Sequence, residues 1–295
     1  MSEVDVSGLD YLTLVTRLLQ LARLADSEAG EWEAADLQWW WRTPRASDAF
    51  GQHFWLDDEG PVAGVVLTDW GRSWECVAIV VPGLPSVSLS VVWEYAVGAI
   101  DSLGLDAVEL VARDDDVELL NLLAQAGFRQ DEHRYGLTWM NARDRPAVAP
   151  LPKGFTLVDR ERATTLHPMR RRNGEGVEAR LGQCSLYDPR LDLAIEAGGG
   201  RVAGYALFWF DPVTEVGLVE PMRVEDEFQR RGLARALLTE GLDRLAKRGA
   251  QRLKVGYGTE AARRLYTGAG FRVTSTSRLY SWRKSGGAER PRAAS

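Results

Sequence analysis

Leu233, Leu237, Leu238, Leu242 and Leu245 fall on one stripe of a helical wheel, so residues 233–248 are expected to form an amphipathic helix. Lys247 and Arg248 sit in its last turn, where positive charge suits the helix dipole, and Gly249 supplies the stop. Helical spacing of apolar residues also marks 9–25, 87–103, 115–125 and 260–267. Short apolar or alternating runs bounded by turn residues predict strands. In the first half these lie at 50–56, 62–70, 74–81, 107–112 and 134–140. In the second they lie at 155–158, 191–197, 202–210, 217–224, 252–255 and, as closing strands, across 272–282. The runs 202–210 and 217–224 read as antiparallel neighbours. Helices and strands intermix in both halves, which predicts an α+β fold.

The pattern also repeats. Gly60 to Gly64 opens an apolar strand, as Gly200 to Gly204 does 140 residues later. Leu122 to Arg129 reads as a helix ended by glycine, with a phenylalanine leading into a strand, and Leu265 to Arg272 echoes it at an offset of 143. Two matches at nearly one offset predict a duplicated domain. Between the copies, Pro146, Pro150 and Pro152 disfavour helix and sheet interiors and predict a stiff extended linker. The expected units are residues 1–145 and 152–284, followed by a disordered tail over 285–295.

Composition narrows the class. Hydrophobic content of 45% with 26% charged residues fits a folded, soluble chain. No run of about 18 apolar residues appears, so no membrane-spanning helix is expected. The polar, acidic N-terminus does not read as a secretion signal, and the cytoplasm is the expected compartment. Cys76 and Cys184, and His53, His133 and His167, are scattered, which argues against a disulfide framework and a metal site. The net charge of −6 hides an asymmetry: residues 1–145 carry −15 and residues 146–295 carry +9. A basic half suits a polyanionic ligand and an acidic half a cationic one, unless the two merely expose differently solvated faces. The basic residues are spread rather than interleaved with exposed aromatics, so nucleic acid is not expected.

The densest chemistry lies after the strand ending at Val224. A polar turn, in which Glu225, Asp226 and Glu227 read as solvated, leads to Gln229, Arg230, Arg231, Gly232, Leu233 and Ala234, where the long helix begins. A glycine turn feeding a helix N-terminus leaves main-chain N–H groups pointing outward, a site for phosphate oxygens. Gly232 allows close approach, small Ala234 does not block it, and Arg230, Arg231 and Arg235 add positive charge. An ordinary strand-to-helix turn with solvated arginines is the competing possibility.

Gln229-x-x-Gly232-x-Ala234 after a strand resembles the pyrophosphate loop of the GNAT acetyltransferase superfamily, whose pattern is Gln/Arg-x-x-Gly-x-Gly/Ala. Ala262 to Phe271 is similar to that family's Ala-x-x-Leu-Tyr-x-x-x-Gly-Phe segment, and both motifs come in the family's order. The resemblance covers 191–282 well and 155–188 loosely. It implies two tandem GNAT-like domains, each a mixed, largely antiparallel sheet flanked by helices, and acetyl-CoA as co-substrate. Met222, Arg223 and Val224 would present strand backbone to the pantetheine arm, and Gln229 to Arg235 would cradle the pyrophosphate. Tyr266 stands where the family's tyrosine protonates the departing thiolate, or else packs its helix on the sheet. Thr259 replaces an asparagine that bonds the cofactor arm in many members. Glu220 resembles a glutamate that takes the amine proton through water in some members, or else pairs with Arg223.

The first copy lacks this equipment. No matching loop follows the strand ending near Val81, no basic residue lies between Arg72 and Arg113, and Leu123 aligns with Tyr266. A structural or substrate-shaping role is expected for it. Nine of the eleven tryptophans lie there, most as core and some as a groove wall for a cationic amine. The expected function is acetyl transfer to a primary amine of a small molecule in a ternary complex. A protein amine as acceptor, or a non-catalytic acyl-CoA sensor, are the alternatives.

Overall fold

The computed structural model describes residues 1–284 apart from 29, 85 and 86, so the expected disordered tail lies outside the described residues. In the first half the chain forms β1 (Ser2–Val6), α1 (Gly8–Ala25), α2 (Ala34–Trp40), β2 (Gln52–Asp57), β3 (Gly60–Asp69) and β4 (Trp74–Val80). It continues through α3 (Leu89–Ser102), β5 (Ala107–Arg113), α4 (Val117–Gln125) and β6 (Arg129–Asn141). The second half begins with β7 (Phe155–Asp159), α5 (Arg170–Asn173), α6 (Val177–Leu181), β8 (Asp192–Ala197), β9 (Arg201–Asp211) and β10 (Val216–Val224). Then follow α7 (Leu233–Lys247), β11 (Arg252–Tyr257), α8 (Glu260–Gly268) and β12 (Arg272–Arg283). No helix among the described residues is long and apolar enough to cross a membrane.

All twelve strands join one sheet in the order β1-β2-β3-β4-β5-β12-β6-β11-β10-β9-β8-β7. The duplication shows in its pairing. From β1 to β5 three antiparallel pairs are followed by one parallel pair, and β7 to β11 repeat that sequence. The last strand of each half crosses over. β6 pairs with β11 from Asn141↔Arg252 to Gly136↔Tyr257, and β12 pairs with β5 from Ser277↔Arg113 to Arg283↔Ala107. β6 and β12 pair with each other at the centre. Instead of separate closing strands, 272–283 is one strand whose ladder is irregular at Val273/Ser275 and Arg278/Tyr280. Neither half owns a complete sheet.

The elements with no counterpart in the periodicity are β1, α2, α5 and α6. The α2 helix is buried on every side, so it has no polar face to set a 3.6-residue rhythm. A capping box between Glu33 and Asp36 starts it instead. One apolar core gathers Trp39, Trp40 and Trp41 of the first half with Met169, Leu181 and Trp209 of the second. Polar bonds seal that junction: the Trp41 indole donates to Gln183 at 2.8 Å, and Arg180 bonds the Trp41 carbonyl at 2.8 Å. The leucine stripe of α7 packs on the other face of the second half's sheet. There Gly241 permits the contact, since a Cβ on it would sit 2.0 Å from Phe208 Cζ.

Candidate active site at the split between β10 and β11

The parallel pair β10–β11 lasts only from Val216↔Arg252 to Leu218↔Lys254. Beyond it β11 keeps pairing with β6, while β10 keeps pairing with β9 at Met222↔Ala206, Arg223↔Tyr205 and Val224↔Gly204. The β9 ladder shifts register between Val219 and Met222, and Pro221, which lacks an N–H, stands in that interval. The facing edges therefore part, and one edge of β10 from Met222 to Val224 is left without a strand partner, open to amide-bearing ligands.

The chain then turns through Asp226–Phe228 into Gln229, whose side-chain amide donates to the Val224 carbonyl at 3.3 Å and to Asp226 Oδ1 at 3.0 Å. Arg230 and Gly232 both adopt left-handed backbone, with φ of 62° and 82°. Among the described residues no hydrogen bond reaches the main-chain N–H groups of Arg230 through Arg235, whereas that of Ala236 returns to Gly232 at 3.1 Å. Six consecutive donors are therefore left unbonded where the chain enters the positive end of α7, with Arg230, Arg231 and Arg235 exposed around them. A Cβ on Gly232 would meet only Pro152 Cγ, at 4.0 Å. Its positive φ and the open space a phosphate needs, rather than crowding, call for glycine.

Tyr266 is the one fully buried side chain of α8, packed edge-on against Phe271 at 6.2 Å. Burial, with the Glu220 charge adding to it, pushes its phenol well above the usual range. Glu220 lies where β10 leaves β11, and its carbonyl accepts the Trp209 indole N–H at 2.7 Å. Burial raises its carboxyl to about 7, against the opposing pull of Arg42 and a hydrogen bond from Trp39. Asp36 is likewise pushed up to about 7, chiefly by burial and in part by Glu220. Arg42 lies 3.9 Å over the Trp39 ring and donates to Asn173 Oδ1 at 2.7 Å.

Three further side chains depart from the simplest expectations. Arg223 pairs with Glu225 and Asp226 at 3.7 and 3.8 Å, not with Glu220. Glu225, expected as a solvated turn residue, holds Arg172 through both oxygens at 2.7 and 2.9 Å, because the 165–187 segment folds back over the turn. The Thr259 hydroxyl caps α8 by accepting from the Ala262 N–H at 3.2 Å.

Glu220 opens into a cavity of about 1050 Å³ between the two halves, lined from the first half by Asp36, Trp39, Trp40 and Arg42. Periodicity did not single out this α2 contribution. Its traces in the sequence are the run Trp39–Trp41 and the acidic bias of the first half. In the floor, fully buried Lys254 pairs with Glu33 at 2.8 Å, and Glu33 also holds Arg23 at 2.6 Å. The first copy's corresponding strands part as well, since β4 and β5 pair only at Trp74↔Val108 and Glu75↔Glu109. Its helix α3, however, starts with Ser88 capping the Val91 N–H, and Leu123 is wholly buried in the core.

The family match falls on the half that keeps the amide array, while the structural likeness extends over nearly the whole chain. Residues 165–271 match the model of the acetyltransferase (GNAT) family. A tandem GNAT protein from the clavulanic acid biosynthesis pathway superposes with a TM-score of 0.69 at 13% identity, over 98% of this chain and 99% of that one. A GCN5-related N-acetyltransferase from Sphaerobacter thermophilus gives 0.61 at 19% identity over 95% of each chain. One from Kribbella flavida gives 0.54 at 19% identity, over 90% of this chain and 96% of that one. No curated protein matches by sequence. Such identities speak for the fold, and the family match speaks for the domain. Residues 165–271 thus match the GNAT acetyltransferase family as an acyltransferase domain, within a chain whose fold is that of a tandem GNAT protein.

Proposed function

We propose that residues 152–284 transfer the acetyl group of acetyl-CoA to a primary amine of a small molecule, by direct attack in a ternary complex. Residues 1–145 then act as a degenerate GNAT-like domain that shapes the acceptor side. The observation that carries this is the row of six N–H donors at Arg230–Arg235 that find no partner among the described residues, beside a strand edge that leads to Glu220. The residues fit acetyl-CoA: Met222, Arg223 and Val224 offer a strand edge to the amides of its arm, and Gln229 to Arg235 receive its pyrophosphate. Acetyl-CoA supplies the activated thioester. Glu220 draws the proton from the acceptor ammonium through water, so that the amine attacks as the free base. Tyr266 keeps its proton at neutral pH and gives it to the departing thiolate. The cavity between the halves, walled by tryptophans, favours a small acceptor over a protein chain.

Release of the CoA thiol from acetyl-CoA in the presence of a panel of small amines tests this, with acetylated amine detected as product. Thiol release that no amine accelerates would leave a binding protein in place of an enzyme. The loop is tested separately by Gly232→Val. A valine at φ 82° carries strain of about 1–2 kcal/mol and covers the amides, so CoA affinity is expected to fall at least about tenfold. Calorimetry with CoA, run beside a melting curve, reads both effects. Undiminished affinity would remove the loop from the site.

A further inference from the structure

Resting on the acetyl-transfer reading, we propose that the acceptor is a linear polyamine. On this account its reacting amine lies at Glu220 and a second, remote ammonium lies at a pole formed by Glu75, Glu109 and Trp70. Glu75 and Glu109 sit directly opposite each other where β4 and β5 pair, so both side chains point to the same face of the sheet, into the cavity that also holds Glu220. Two carboxyls in that relation repel each other, and among the described residues no ion pair reaches either one. Glu75 accepts the Trp70 indole N–H at 2.8 Å. Burial pushes its carboxyl up to about 8, with Glu109 adding to the rise and the more distant Arg45 opposing it, so an ammonium arriving in contact with the pair would favour its ionised form.

The wall beside the pole is aromatic. Trp32 meets Trp40 edge-to-face at 4.9 Å, and Trp40 meets Trp70 in the same way at 5.5 Å. Such a wall covers methylene segments and attracts ammonium groups through the indole faces. The positive side chains of the lining do not cancel the acids. Lys254 is spent on Glu33 and the Glu31 carbonyl, Arg42 on Asn173 and Trp39, and Arg72 is exposed. Arg45 covers one face of Trp70 at 3.8 Å and donates to the Asp69 carbonyl at 3.2 Å, and among the described residues it forms no ion pair with Glu75 or Glu109.

Spacing selects the polyamine over a short amine. Along the sheet, β4 lies five strands from β10, roughly 24 Å at about 4.8 Å per step. Carboxyls reaching in from both ends shorten that gap, and Asp36 and Glu31 lie in the lining between them. A chain with ammonium groups several methylenes apart meets a carboxyl at each charge and tryptophan at each apolar stretch.

The test compares spermine with n-hexylamine as acceptors, in the wild type and in Glu75→Gln/Glu109→Gln. The wild type is expected to favour spermine in kcat/KM at least about tenfold, and the double variant to lose most of that ratio, as deletion of a charged hydrogen-bond partner does. A purely structural effect would lower both acceptors alike and leave the ratio unmoved, which overturns the proposal. Calorimetric titration of spermine into the whole chain reads binding apart from turnover. Carboxyl-dependent binding without any acetyl transfer would sink the enzymatic reading and keep the pole. Spermine binding equally to both proteins, or a lysine-rich peptide outcompeting it, would overturn the pole itself.

Discussion

Tyr266→Phe is expected to lower kcat by about 10²- to 10⁴-fold, the range of a lost general acid, and to leave CoA affinity unchanged. The substitution removes one oxygen. The ring that packs edge-on against Phe271 at 6.2 Å remains, so α8 keeps its seat on the sheet. The proposed CoA site uses the amides of Arg230–Arg235, which lead into a different helix, α7. Because burial holds the phenol well above its usual pKa, Tyr266 stays protonated throughout the accessible range and contributes no basic limb to the pH profile. Steady-state thiol release with calorimetry of CoA on the same preparation separates the two quantities. A kcat close to the wild-type value would show that Tyr266 only packs.

Glu220→Gln should act through both rate and pH. In the wild type the carboxyl ionises near 7, so kcat/KM is expected to fall as pH drops through that value and the base becomes protonated. Profiles of the wild type and the glutamine variant with one and the same acceptor separate this limb from titration of the amine itself. Asp36 ionises near the same value and feels the Glu220 charge, so its titration overlaps the limb, and Asp36→Asn simplifies the profile. The glutamine variant is expected to lose the limb and about 10²-fold in kcat/KM.

Stability should move the other way. The folded pKa of Glu220 lies above its ordinary 4.5, so the folded state binds the extra proton between the two values. Stability therefore declines as pH rises from about 4.5 through about 7. The neutral amide escapes that cost, and Glu220→Gln is expected to melt at a higher temperature than the wild type at pH 8 while turning over more slowly. A variant that is both slower and less stable would mark Glu220 as a packing residue instead.

The halves are equipped unequally, and their charges differ in the same way. The second half keeps the amide array, the open β10 edge and the buried tyrosine. The first half retains the parting of its strands but caps its helix with Ser88 and fills the tyrosine position with Leu123. What it supplies is α2, which brings Asp36, Trp39 and Arg42 to Glu220, and the acidic strands β4 and β5. The −15 charge of the first half is thus partly turned inward, with Glu31, Asp36, Glu75 and Glu109 facing the cavity.

Much of this was legible along the chain, because it depends on neighbours within a few residues. The leucine stripe of α7 follows from a 3.6-residue repeat, the turn at Gly232 from a glycine set between a strand and that helix, and the duplication from two matched segments. What the tertiary structure alone decided lies between residues far apart. The exchange of β6 and β12 joins strands more than a hundred residues distant, and nothing in either strand's own pattern names its neighbour. The α2 helix carries no periodic signal because both halves bury it, and Glu225 is claimed by Arg172 from a segment that folds back over it. Glu220 illustrates both levels: its place after a strand is written locally, while its raised pKa comes from the burial that the tertiary fold imposes, against the opposing pull of Arg42 and Trp39 from the other half.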